Sequence, residues 1–209
     1  MISNSGTLHV SWQRICIMPN DNHPKKGSKI KVEPIKSAED ISRIRSKLKG
    51  KPRDLCLFNL GTNTNLRASD MLQIKAGMVR GVEPRGEIEL KERKTGKVRR
   101  VTLNRKVVES IKRLLDSRDY KDEDPLFIGQ RGNCLTVSSV SRLVKSWCRG
   151  LRGNYGSHSL RKTFGYHKRM KGFSLEQLMQ TYNHSSPRQT LDYLCIQEEE
   201  IKELYMDEI

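Results

Sequence analysis

The chain has 209 residues, 35% hydrophobic and 31% charged, which is enough apolar material for one cored domain and too much for a disordered chain. Lys and Arg outnumber Asp and Glu by 40 to 24, a formal charge of +16, so a polyanion is the expected partner, with nucleic acid ahead of a membrane surface. The five scattered cysteines (Cys16, Cys56, Cys134, Cys148 and Cys195) include no CxxC pair, support neither a zinc site nor a disulfide framework, and fit a reducing intracellular compartment.

Residues 1–34 hold Pro19, Pro24, Pro34 and the basic run KKGSKIK, without sustained periodicity. An irregular basic extension is expected, either touching phosphates or simply solvated. No secretory pattern, long apolar run or lipidation motif is read, so no membrane association is expected. In SAED, Ser37 caps a helix whose Ile41, Ile44 and Leu48 share a face. DLCLFNL (54–60) reads as a buried helix, and a short third runs from about Ala68 to Ile74.

EIELKE (87–92) and KVRRVTL (97–103) then alternate in the strand manner around RKTG, where Gly96 can take a positive φ. A strand near Met78–Val82 would make a small three-stranded antiparallel sheet. The remainder reads as helical. Asn104 and Thr136 are caps, a helix runs from about Ser159 to Lys171, Ser174 and Gln177 form a capping box, and a last helix starts near Pro187. The tail EEEIKELYMDEI (198–209) is acidic and amphipathic.

Several segments set cations or imidazoles in structured contexts. Arg67 lies between buried segments and needs a partner or a ligand, and Asp70 could orient it or simply pair with it. Lys94 sits at the hairpin tip, within reach of a phosphate or as a solvated turn residue. Arg93, Lys97, Arg99 and Arg100 make the hairpin a basic ribbon in either case. In HSLRKTF, His158 and Arg161 are i, i+3 on one helix face near its N-terminus, as an anion site or as a cap beside a surface arginine. In NHSSPRQTLDYL, His184 precedes Tyr193 by nine residues, and the tyrosine beside two leucines reads by itself as packing.

Taken together, RASD, the KTG turn, HSLRKTF and NHSSPRQTLDYL, in that order, resemble the tyrosine recombinase (phage integrase) family over roughly residues 35–209. The resemblance implies that family's catalytic-domain fold, mainly α with a small antiparallel sheet. It implies a site-specific recombinase or integrase that cleaves and rejoins DNA without metal or other cofactor. Arg67, Lys94, His158, Arg161, His184 and Tyr193 match its catalytic positions, with Tyr193 as the nucleophile and Asp70 supporting Arg67. Lys162 joins Arg93, Lys97, Arg99 and Arg100 as an expected DNA contact. Asn65 and Asn183 stand where the family usually has glycine, and asparagine also adopts a left-handed conformation. The 34 leading residues are fewer than the helical core-binding domain that members usually carry. The implied partner is double-stranded DNA, bound by a homo-tetramer that exchanges C-terminal tails, in a cytoplasmic, nucleoid-associated setting. A DNA-binding regulator that does not cut, and a type IB topoisomerase, are the competing readings.

Overall fold

The computed structural model describes residues 31–93, 96–130, 132–196 and 206. The elements in chain order are α1 (Ala38–Leu48), α2 (Pro52–Thr64), α3 (Ala68–Met71), α4 (Ala76–Val79), β1 (Glu87–Lys91), β2 (Val98–Thr102), α5 (Arg105–Leu115), α6 (Val137–Trp147), α7 (Ser157–Met170), α8 (Leu175–Tyr182) and α9 (Pro187–Leu194). The architecture is mainly helical with one small antiparallel sheet.

Local chemistry starts these helices. Ser37 Oγ accepts the Asp40 N–H at 3.1 Å, and Asn104 Oδ1 accepts that of Val107 at 3.0 Å. Thr136 Oγ1 accepts the Ser139 N–H at 3.1 Å. Ser174 and Gln177 close both bonds of the capping box, at 3.2 and 3.0 Å. Ser186 caps α9 through the Gln189 N–H at 3.2 Å, with Pro187 in the first turn.

The expected third strand is not formed among the described residues. Its segment begins in α4, and its own amides are committed locally, Met78 N–H to the Lys75 carbonyl, Arg80 N–H to that of Ala76 and Val82 N–H to that of Val79. A sheet edge cannot use the same donors. β1 pairs with β2 alone, with Ile88 opposite Val101 and Leu90 opposite Arg99, and Ile88, Leu90 and Val101 face the core.

Helix α2 is buried on nearly every side and packs against α5 and α7. A Cβ on Gly61 would stand 2.7 Å from Leu160 Cδ1, so the missing side chain sets how closely α7 approaches. Ahead of α1, the Ile35 N–H donates to Thr163 Oγ1 at 2.8 Å, and the Ile35 carbonyl lies 2.9 Å from His167 Nε2. Residues 31–37 have no regular secondary structure, and the rest of the expected N-terminal extension lies outside the described residues.

A second, smaller core of Leu178, Tyr182, Leu194 and Ile196 fastens α8 and α9 to α7. It closes over Gly165, where a Cβ would stand 2.6 Å from Leu194 Cδ2 and would clash with the Tyr182 hydroxyl. We predict that Gly165→Ala destabilises the protein by about 1–3 kcal/mol through overpacking, read as a lower midpoint in urea. An unchanged midpoint would show that this core yields freely.

Candidate active site

Two left-handed turns and one helix assemble the site. α2 ends at Asn65 (φ 54°), and the turn brings Arg67 to the head of α3. Asn65 Nδ2 donates to the Thr181 carbonyl of α8 at 2.8 Å. α8 ends in the same way at Asn183 (φ 57°), which places His184 before α9. Both asparagines adopt the conformation for which glycine is the usual choice. α7 carries His158, Arg161 and Lys162, and α9 carries Tyr193.

Arg161 is 4% exposed. Its guanidinium lies over the Tyr182 ring, 5.0 Å from the centroid, and the Tyr182 hydroxyl donates to the Arg161 carbonyl at 2.6 Å. The same ring stacks on His184 (5.3 Å, 29°) and meets Tyr193 at 5.3 Å. His184 Nδ1 lies 3.0 Å from Thr190 Oγ1. Tyr193 is half-buried, and its hydroxyl stands 3.5 Å from His158 Nδ1, the outer limit of a hydrogen bond.

Arg67 Nη1 stands 3.1 Å from Glu92 Oε2 and 3.7 Å from Asp70 Oδ2. Glu92 Oε1 in turn accepts from Arg99 Nη1 at 3.3 Å. Asp70 is fully buried, and its Oδ1 accepts the Arg93 N–H at 3.1 Å, so one carboxylate fixes the hairpin relative to Arg67. Among the described residues, four buried side-chain nitrogen and oxygen atoms lack a hydrogen-bond partner: Asn65 Oδ1, Arg67 Nη1, Asp70 Oδ2 and Arg161 Nη1. All four belong to this site, and two are guanidinium donors suited to an anion.

Burial holds the Tyr193 phenol above its ordinary value, although Arg161 and Arg67 pull it down. The cationic surround therefore does not ionise the tyrosine by itself. His184 is held below its ordinary value, first by burial and then by Arg161 and Arg67. Its neutral ring is the stable form of the folded site.

Of the expected site residues, Arg67, Asp70, His158, Arg161, His184 and Tyr193 come together. Lys94 lies outside the described residues. Arg93, Lys97 and Arg100 are exposed on the hairpin, whereas Arg99 turns inward to Glu92. Lys162 departs from expectation. It is 5% exposed, with its amine 4.9 Å from the Tyr193 ring centroid, so it addresses the tyrosine and not an open surface. Sequence reasoning missed Tyr182 and Glu92. Nothing in a lone tyrosine or glutamate marks such a role, although Tyr182 directly precedes the left-handed asparagine.

Residues 35–200 match the Phage integrase family. The chain belongs to this family, the tyrosine recombinases. One family relative, "Probable integrase/recombinase YoeC" of Bacillus subtilis (strain 168), is 33% identical over 181 residues, which are 83% of this chain and 95% of the relative. The fold is similar to that of XerA recombinase, with TM-score 0.68 and 22% identity over 83% of this chain and 65% of that one. It is also similar to XerH site-specific recombinase bound to palindromic difH substrate, with TM-score 0.65 and 24% identity over 87% of this chain and 55% of that one. The match thus spans less than two thirds of either recombinase. The catalytic domain of bacteriophage HP1 integrase matches with TM-score 0.54 and 22% identity, over 77% of this chain and 86% of that one. Among the described residues, no helix of this family member is long and apolar enough to cross a membrane.

The His184 shift has a consequence for stability. As pH falls through the ordinary imidazole value of 6.5, the unfolded chain takes up a proton that the folded site resists, and stability falls. We predict that urea denaturation at about pH 7.5 and about pH 5.5 shows a larger loss for wild type than for His184→Gln. Equal losses would mean that the imidazole is not held neutral.

Proposed function

We propose that this chain is a site-specific DNA recombinase that cuts and rejoins duplex DNA through a 3′-phosphotyrosyl link. The observation that carries the reading is the pair of guanidiniums, Arg67 and Arg161, each with a buried Nη1 lacking a hydrogen-bond partner among the described residues, in the site where the Tyr182 ring under Arg161 also meets the ring of Tyr193. A phosphodiester placed between them would meet a nucleophile and two donors for its non-bridging oxygens. XerH is described bound to difH substrate, which supports duplex DNA as the partner here. The exposed Arg93, Lys97 and Arg100 of the hairpin suit its flanking phosphates.

In this scheme the Tyr193 oxygen bonds to phosphorus and the bond to the 5′ oxygen breaks. The phenol proton passes to His158 Nδ1 as their separation closes from 3.5 Å. Lys94, assigned by its motif position, protonates the departing 5′ oxygen. His184 donates a hydrogen bond to the phosphate from Nε2 when the Thr190 hydroxyl donates to Nδ1. Attack by another 5′ hydroxyl reverses the steps and restores the phosphodiester. The covalent link conserves the bond energy, so no nucleotide cofactor is needed.

Nicked suicide duplexes drawn from the chain's own genomic neighbourhood test this reading. Wild type should form a denaturation-resistant adduct, Tyr193→Phe none, and Arg67→Lys about 10²-fold less per unit time, because a lysine lacks the guanidinium fork. An adduct with Tyr193→Phe would remove the assigned nucleophile. No adduct from wild type would favour the non-cutting regulator, and rapid relaxation of arbitrary supercoiled DNA the topoisomerase.

Assembly as a tetramer by exchange of the tail, in a nucleoid-associated setting, completes the proposal. Residues 197–205 and 207–209 lie outside the described ones. Deleting 197–209 should weaken higher-order complexes on DNA in native gels. Unchanged assembly would remove the exchange.

A further inference from the structure

Lys162 is a buried ammonium in an unusual position. Among the described residues no carboxylate lies within ion-pair distance of it, and its hydrogen bond goes to Cys195 Sγ at 3.7 Å. An isolated ammonium away from water is costly unless something favours the charge. Here the compensation in contact is the face of the Tyr193 ring, 4.9 Å from the amine, together with the thiol, and the Glu33 carboxylate adds a weaker attraction from beyond ion-pair distance. Cation–π attraction is stronger when both partners are desolvated.

The helix places this contact opposite a second one. His158 and Lys162 are i, i+4 on α7 and share a face. His158 meets the hydroxyl end of Tyr193, and Lys162 meets the ring. Cys195 closes α9 in a left-handed conformation (φ 60°), two residues beyond the tyrosine. The amine therefore grips α9 at both the ring and the helix end.

We infer that Lys162 is a positioning residue that latches Tyr193 and the end of α9 against α7, holding the phenol in line for attack. The inference rests on Tyr193 being the nucleophile. It replaces the expectation that Lys162 contacts DNA, because a side chain under the tyrosine has no open face for a phosphate.

Lys162→Met keeps the length of the side chain and removes the charge. Hydrogen exchange of the full chain, followed by mass spectrometry, should show faster exchange in peptides covering residues 187–196 and no change elsewhere. On a nicked duplex that wild type attacks, single-turnover adduct formation at saturating protein should fall about 10- to 100-fold, as expected for a misplaced nucleophile. DNA affinity and its salt dependence should stay as in wild type, and Lys162→Arg should restore most of the rate. Unchanged exchange in 187–196 overturns the latch. So does a loss of affinity with a salt slope reduced by about one at an unchanged saturating rate, the signature of a phosphate contact. If Lys162→Met does not fold, Cys195→Ala decides: faster exchange in the same peptides supports the latch, and none overturns it. Tyr193→Phe keeps the ring, so an adduct that survives it removes the nucleophile, and the inference with it. Loss of that adduct beside a wild-type rate in Lys162→Met removes the inference alone.

Discussion

Arg161 is a permanent positive charge held in the interior with no carboxylate in ion-pair contact among the described residues. Burial opposes its charged form, and the positive groups of Arg67 and Arg99 oppose it further. The surroundings answer with the face of Tyr182, while its place in the first half of α7, near the positive end of the helix dipole, fixes its position and opposes the charge further. Much else follows from this arrangement. Tyr182 can lie beneath the guanidinium only because Gly165 leaves room, and its hydroxyl returns to the Arg161 carbonyl. The same ring carries His184 on one side and meets Tyr193. A single buried aromatic thus sets the relative attitude of an arginine, a histidine and a tyrosine drawn from three parts of the chain.

The tyrosine is suspended differently from the arginines. α7 is locked into the main core through Leu160 against α2, whereas α9 reaches it through the small core around Leu194. Less apolar surface is available there to hold a helix, and elements held this way open first. If Tyr193 is the nucleophile proposed above, a helix held by a small core and the Lys162 contact suits its movement between phenol and phosphodiester, while groups that bind charge are suited by a fixed helix. The two cores divide those demands between α9 and α7.

Much of this was legible in the sequence because it depends on short-range chemistry. Ser37, Asn104, Thr136 and Ser174 announce their helices, since a cap is decided within three residues. Asn65 and Asn183 stand where the resembled family has glycine, and each takes the left-handed conformation that asparagine tolerates. The candidate site residues were legible only as ordered motifs that resemble the family's, not one by one. What could not be read depends on partners far along the chain. The supposed strand at 78–82 gives way to the turn of α4, whose start is anchored by the Ala76 and Gly77 amides on the Asp124 and Asp122 carbonyls. Lys162 looks like a surface cation beside Arg161, but it is buried, with the Tyr193 ring of α9 lying against its amine. Tyr182 gains its role from α7, α8 and α9 together.

Glu92 presents a conflict that geometry resolves. A carboxylate 3.1 Å from Arg67 would compete with a phosphate for the same charge. Yet Arg67 Nη1 makes no hydrogen bond there: the pair is close, but the N–H directions do not meet the carboxylate oxygen. Glu92 therefore orients the guanidinium by charge and leaves that donor unfilled. Its other oxygen is held by Arg99 of β2, which also donates to the Asn65 carbonyl at 3.4 Å. Asp70 adds the Arg93 amide at the start of the hairpin turn. Arg67 and the two strands are thereby joined in one polar network, so the attitude of the guanidinium is set by the hairpin rather than by α3 alone.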